Sequence, residues 1–299
     1  MKLSNIFLST LAVLLCCTAC SKDEESFKGK DADASLSIAV KAAGSAVTKG
    51  FHPNDENELA GEAKVNNLSV LVFDESGAQL IGYGWQATNS EGEASILNVP
   101  AMTMRAQIVI VSNTPENSLA GVTSYSDFES KLAQLADQSQ SNLVMSSPVI
   151  TTQAPLVKGD NYLGYASMGS ENINGIAEPV EITRLAARLD LVNVKTDFTK
   201  TLLRNRTVRV EEVTILNQNT ASRFFSRDYW GVVMATGHLG NSDATALNRD
   251  IANGSPINDT PYVHYVMEND GSEAPTEIQV RATCLKRTRM RRKQKYSPP

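Results

Sequence analysis

Histidine is scarce in this 299-residue chain. The three present, His52, His238 and His264, lie far apart and form no H-x-x-x-H or H-E-x-x-H spacing. The usual signature of a zinc hydrolase is therefore missing. No Gly-x-Ser-x-Gly elbow or phosphate-binding loop occurs, and Gly82-Tyr83-Gly84 lacks the rest of a dinucleotide fingerprint. Asp55, Glu56 and Glu58 crowd one stretch without EF-hand spacing and read as solvated acids. Aromatic residues make up only 6% of the chain. Trp85, Tyr229 and Trp230 read as packing residues rather than a sugar-stacking platform. No enzyme, metal or cofactor is expected. Basic residues are also thin through most of the sequence. Lys2 and seven residues near the C-terminus account for eight of the 28 Lys and Arg, leaving twenty against 33 acids in between. Such an acidic body argues against a nucleic-acid binder. A mean hydropathy of −0.22 excludes a polytopic membrane protein.

Long apolar runs are missing except at the start, where Lys2 precedes Ile6 to Leu15 and then Cys16-Cys17-Thr18-Ala19-Cys20. The run is too short to span a bilayer. A basic start, a short apolar stretch and small residues before a cut read as a secretory signal over residues 1–20. Cys20, behind Thr18 and Ala19, resembles the lipidation cysteine of bacterial lipoproteins, although Cys17 stands where leucine is commonest. The plainer alternative is a signal peptide cut near Ala19. Ser21-Lys22-Asp23-Glu24-Glu25 resembles the surface-export signal of Bacteroidetes lipoproteins, and is also an ordinary charged linker. With Cys20 lipidated, Cys284 has no partner for a disulfide, so the exported chain relies on its core.

Alternation dominates the rest. Ser35-Leu36-Ser37-Ile38-Ala39-Val40 has the two-residue period of a half-buried strand. Residues 44–64 turn polar and read as an exposed loop. Asn67 to Phe73 and Gln79 to Tyr83, joined by Asp74-Glu75-Ser76-Gly77, predict a hairpin. Further strands are expected at 105–111, 149–151, 180–194, within 208–216, at 262–267 and at 277–282, with a long loop over 236–260. One helix is expected, opened by a Ser126-x-x-Glu129 capping box and continued by Phe128, Leu132 and Leu135 to about Ser139. Many short strands with one brief helix predict an all-β protein of sandwich type, and the length suits two such domains. Their joint is expected near 179–184.

Several segments, in order, resemble the fimbrillin family, the major subunits of the type V pili of Bacteroidia. They are Val47-Thr48-Lys49-Gly50-Phe51, Lys64 to Phe73, Leu143-Val144-Met145, Lys158 to Tyr165, Ile182 to Leu189, Tyr265 to Asp270 and Pro275 to Ile278. The likeness covers about residues 1–283. It implies two transthyretin-like β-sandwich domains, at 50–183 and 184–283, preceded by a tether and leader strand over 21–49. It further implies a lipoprotein precursor at the outer membrane, cut by an Arg/Lys-specific surface protease. Other fimbrial subunits are the implied partners, joined by donor-strand exchange into a cell-surface fimbrium used for adhesion. Lys49 matches the family's cleavage position, and Leu36, Ile38 and Val40 become the inward residues of the removable strand. Lys49 is also the one basic residue between Lys41 and Lys64, in a polar loop open to nicking. The alternative is an anchored surface lipoprotein that binds glycan or host protein without polymerising.

Residues 284–299 depart from the family pattern. They hold Lys286, Arg287, Arg289, Arg291, Arg292, Lys293 and Lys295 without an acid. Asp and Glu codons read one base out of frame give Thr, Arg, Met and Lys, so a frameshifted end is expected. It would leave the second sandwich incomplete and assembly weak. The rival reading is a tail that binds anionic lipid or nucleic acid.

Overall fold

The computed structural model describes residues 31–43, 59–166, 171–191, 194–224, 235–238, 249–252, 262–269 and 275–285. Cys20, Lys49, His52, the acids at 55–58, Tyr229, Trp230 and the basic residues of 286–299 lie outside them. The architecture is all-β, as the alternation predicts.

The first sheet system is built from β1 (Ala34–Ala42), β2 (Lys64–Asp74), β3 (Leu80–Glu91), β4 (Glu93–Ala101) and β5 (Ala106–Ser112). Strand β2 is central, antiparallel to β3 on one side and to β5 on the other. The hairpin between β2 and β3 is the expected one. Gly77 takes φ +74° at its corner, and Asp74 accepts hydrogen bonds from Gln79 N (3.1 Å) and Ser76 Oγ (2.7 Å). A left-handed φ there suits glycine because no Cβ clashes. Leu68, Val70 and Val72 point into one core with Ile108 and Ile110, while Leu71 and Phe73 point into another with Val109 and Val111. Burial of both faces explains why these strands read as continuous apolar runs.

Strand β4 was not expected. Pro100, the exposed Leu97 (53%) and Asn98 at φ +56° break its alternation. The expected helix is also shorter. Helix α1 spans Tyr125–Ser130, and its cap is Ser124 rather than Ser126: Ser124 Oγ accepts from Asp127 N (3.1 Å). Asp127 Oδ2 in turn accepts from Thr123 N (3.2 Å). Only Phe128 of this helix is buried. One and a half turns cannot propagate without more buried contacts. At Lys131 the backbone becomes extended, Leu132 enters a strand, and Leu135 opens a separate 3-10 turn over Leu135–Asp137. Leu132–Gln134 form β6.

Strands β7 (Met145–Ser146), β8 (Ile150–Thr151), β9 (Gly159–Leu163) and β10 (Val180–Arg184) complete the first system. The pairing order is β10-β7-β5-β2-β3-β4-β1-β9, and β10 also pairs with β1, so the sheet closes on itself. The expected strand region 180–194 is broken at Leu185. Beyond it β11 (Ala186–Leu191) pairs with β16 (Tyr262–Met267) instead. The other strands are β12 (Thr207–Gln218), β13 (Ala221–Arg223), β14 (Ala235–His238), β15 (Arg249–Ala252) and β17 (Glu277–Leu285). Strands β14 and β15 fall within the expected loop 236–260, where their Gly- and Asp-containing sequences gave no strand signal. Both pair with β12. Strand β17 also pairs with β12 and runs on through Cys284 and Leu285, past the point where the strand pattern seemed to stop. Backbone pairing with Thr207 and Val208 carries it there without needing side-chain alternation.

Candidate functional site

Strand β1 carries the three expected leader residues, and the closed sheet brings them together. Leu36 and Ile38 are 0% exposed and Val40 is 1% exposed. Their side chains pack in the same core as Leu68, Val70, Ile96, Val99, Ile108 and Leu163. Both edges of the strand are occupied. One edge is antiparallel to β4, from Ala34 opposite Ala101 to Lys41 opposite Glu93, with a register shift between Leu36 and Ile38. The other is parallel to β9 over Ala34–Ile38 and parallel to β10 over Val40–Ala42. Fully burying three such side chains contributes about 5–9 kcal/mol in total. The whole stability of a typical domain is about 5–15 kcal/mol. The strand is thus a large share of what holds this core closed.

Polar groups fix its position. Asn161, itself buried, donates from Nδ2 to Ser35 O (3.2 Å), and Ser35 Oγ donates to Asp160 Oδ1 (3.1 Å). Ser37 Oγ accepts from Asn98 N (3.3 Å) at the register shift. Just ahead of the strand, Asp33 Oδ1 accepts from Thr103 N (2.8 Å). Hydrogen bonds from Thr103 hold the Asp33 carboxyl below its ordinary pKa. Where β1 changes partner from β9 to β10, Gly164 takes φ +86°, and a Cβ on it would lie 2.7 Å from Ala39 O. Only glycine admits that approach.

The chain returns from 44–58 through a segment read as exposed, but Glu62 in it is 4% exposed. Its carboxylate meets Arg188 Nη1 of β11, accepts from Tyr265 OH of β16 (2.8 Å), and accepts from Leu59 N (2.9 Å). Arg184 Nε donates to Glu62 O (2.9 Å). A carboxylate this buried needs such partners, since an unpaired charge costs several kcal/mol. Glu62 thereby ties the first sheet system to the second. Tyr265 also packs against the cluster in which Phe128 stacks on Phe224, centroids 5.7 Å apart, with Ala186 and Met267. Sequence reasoning missed this clasp. Its visible trace is Arg184 and Arg188 four positions apart, but their shared partner lies more than 120 positions away.

The remaining sequence candidates do not assemble into a site. His264 sits on β16 with Nε2 2.6 Å from Gln218 Oε1. Trp85 is partly buried on β3. Cys284 is a free, exposed thiol. Among the described residues no group of His, Cys, Asp and Glu is arranged to hold a metal ion.

A nine-stranded sheet that closes on itself through β1, followed by a second set of strands gathered around β12, defines an all-β fold of sandwich type. Comparison with known proteins gives the family. Residues 34–184 match the family model of the major fimbrial subunit protein FimA. Residues 185–297 match that of the C-terminal domain of Fim1C-like fimbrium tip subunits, so that match takes in most of the basic segment. The chain belongs to the FimA and Fim1C family of fimbrial subunits, which is structural and not enzymatic. It is 47% identical over 284 residues to Fim1C of Parabacteroides distasonis, provisionally assigned as a fimbrium tip subunit, covering 94% of this chain and 75% of that protein. It is 26% identical over 287 residues to the major fimbrium subunit FimA type-2 of Porphyromonas gingivalis, covering 90% and 68%. A crystal structure from Parabacteroides distasonis, provisionally assigned as a cell adhesion protein, superposes with a TM-score of 0.74 at 43% identity, over 85% of this chain and 76% of that one. A fimbrilin from Porphyromonas gingivalis shares the fold at a TM-score of 0.53 and 15% identity, over 85% and 71%.

Proposed function

We propose that this fimbrial subunit is held in a precursor form by β1 and assembles when a strand of another subunit takes that place. The observation that carries the reading is the enclosure of β1, with Leu36, Ile38 and Val40 buried and both edges paired. Removing such a strand leaves an apolar trough and two unpaired edges, which an added strand satisfies. No nucleotide is needed, because the vacancy supplies the driving force. In the same reading Cys20 carries the lipid that holds the precursor at the outer membrane. An Arg/Lys-specific surface protease cuts after Lys49 and frees the leader. The likeness to Fim1C favours a place at the tip of the fimbrium with a role in adhesion. Partners are then other fimbrial subunits, and the mature location is the fimbrium on the cell surface.

The test is limited digestion of the purified chain with trypsin, followed by N-terminal sequencing and addition of a labelled peptide spanning residues 33–43. A new N-terminus at Gly50, with uptake of the peptide, supports the reading. A chain that stays uncut at Lys49 and takes up no peptide favours the non-polymerising surface lipoprotein instead.

A further inference from the structure

Beside α1 lies a cavity of about 490 Å³, away from the core that holds β1. Its size suits a small ligand or an inserted side chain. Lys131, Leu132, Ala133 and Gln134 all line it. Successive side chains of a strand point to opposite faces, so four consecutive residues can line one cavity only if the strand turns its edge toward it. Strand β6 does have an open edge. Among the described residues it pairs with β13 alone, with Ala133 opposite Ser222 and Gln134 opposite Ala221.

The hydrogen bonds say which groups that edge presents. Leu135 N donates to Thr220 O (2.7 Å), the next position of the same register. Bonded and non-bonded pairs alternate along an antiparallel ladder. Ala133 is therefore bonded to Ser222, while the main-chain groups of Leu132 and Gln134 face away from β13. Gln134 O is taken by Gln138 Nε2 (3.0 Å). The N–H of Leu132, its carbonyl and the N–H of Gln134 have no hydrogen-bond partner among the described residues.

The walls complete a recognition surface. Leu119, Val144 and Phe224 give an apolar floor. Asn67 lines it too, its Oδ1 accepting from Thr114 N (3.1 Å) and its Nδ2 without a partner among the described residues. Ser118 and Asp137 add a hydroxyl and a carboxylate whose side chains have no partner among the described residues. We infer that this cavity binds an extended peptide segment of a partner protein, which adds a strand to the open edge of β6 and sets one apolar side chain on the floor of Leu119, Val144 and Phe224. Main-chain pairing supplies the affinity and the floor selects the side chain, as in other cases of strand addition. The site is separate from β1 and does not depend on leader removal.

The probe is an array of capped heptapeptides, threonine throughout except for a central Leu, Ile, Phe or Asp, titrated into the isotope-labelled full chain. The apolar peptides are expected to shift the amide resonances of Leu132 and Gln134 and to slow their hydrogen exchange, and the Asp peptide is not. Gln134→Pro removes the N–H that faces the open edge and leaves the β13 ladder intact. The backbone there is extended, φ −94° and ψ 140°, so proline fits after a shift of about 15–30° in φ. It should weaken binding about tenfold, whereas Gln134→Ala should not. Hydrogen exchange of the unmodified chain decides the matter even if Gln134→Pro does not fold. Absence of shifts up to millimolar peptide, equal binding by both variants, or shifts caused only by neutral oligosaccharides would overturn the inference.

Discussion

Replacing Ile38 with alanine tests the weight given to β1. Ile38 is 0% exposed, stands opposite Ile96 on β4 and Leu163 on β9, and follows the register shift. Ile96 (1% exposed) and Leu163 (0% exposed) are themselves buried in the same core, so the space left cannot readily collapse. Truncation of a buried isoleucine costs about 2–5 kcal/mol, the upper part applying where relaxation is blocked. A loss of about 3–4 kcal/mol should lower the melting temperature by roughly 10 °C for a domain of this size. Urea unfolding of the full chain, followed by circular dichroism, reads the first quantity directly. Leu97→Ala, at a 53% exposed position on β4, is the control and should stay within about 0.5 kcal/mol of the parent. Ile38→Ala should also take up a labelled peptide of residues 33–43 faster than the parent, because its own strand is held less firmly. If Ile38→Ala unfolds within 1 kcal/mol of the parent, β1 is not the closing element of this core and the strand-replacement reading loses its energetic basis.

Three further outcomes are expected. Gly164→Ala should destabilise the junction of β1 with β9 and β10, since the added Cβ meets Ala39 O and the positive φ is strained, costing about 1–3 kcal/mol by thermal denaturation. The Asp33 carboxyl has its folded pKa below the unfolded value of 3.8, so the hold of Thr103 on the start of β1 is present above that value and lost as pH falls through the folded pKa. Protection factors of the amides at residues 34–36, taken relative to intrinsic exchange at each pH, should therefore fall in acid in the parent, and Asp33→Asn should abolish that dependence. Glu62→Ala leaves Arg188 and Tyr265 without their shared carboxylate and should cost roughly 3 kcal/mol, with protease sensitivity appearing near Leu185, between the sheet systems. A variant as stable and as protease-resistant as the parent would show that the clasp is dispensable.

Local pattern was enough to find the strands whose alternation is clean. Leu36, Ile38 and Val40 announced β1, and Asp74 to Gly77 announced the turn that follows β2. It failed wherever a distant partner decided the local conformation. Leu132 and Leu135 keep helical spacing with Phe128, yet β13 draws Leu132 into a strand from about ninety positions away. Strand β4 hides behind Pro100 and a left-handed Asn98, while β14 and β15 exist because β12 offers them an edge. Of the candidate site, the inward residues of β1 were legible because burial on one face leaves a period of two. The clasp at Glu62 was not, because one buried carboxylate in a polar stretch looks like any solvated acid until Arg188 and Tyr265 are brought to it.

The two edges of β1 differ in the direction of their partners: β4 runs against it, β9 and β10 run with it. Antiparallel and parallel ladders space their hydrogen bonds differently, so a strand laid in reverse would mismatch both sides at once. The slot is therefore a one-way key. Whatever sequence fills it must enter with the same polarity as β1 and set a single residue, as Ser37 does, against the two bulged residues Leu97 and Asn98 of β4. A run of subunits joined through such slots has a head and a tail, and its two ends cannot be interchanged.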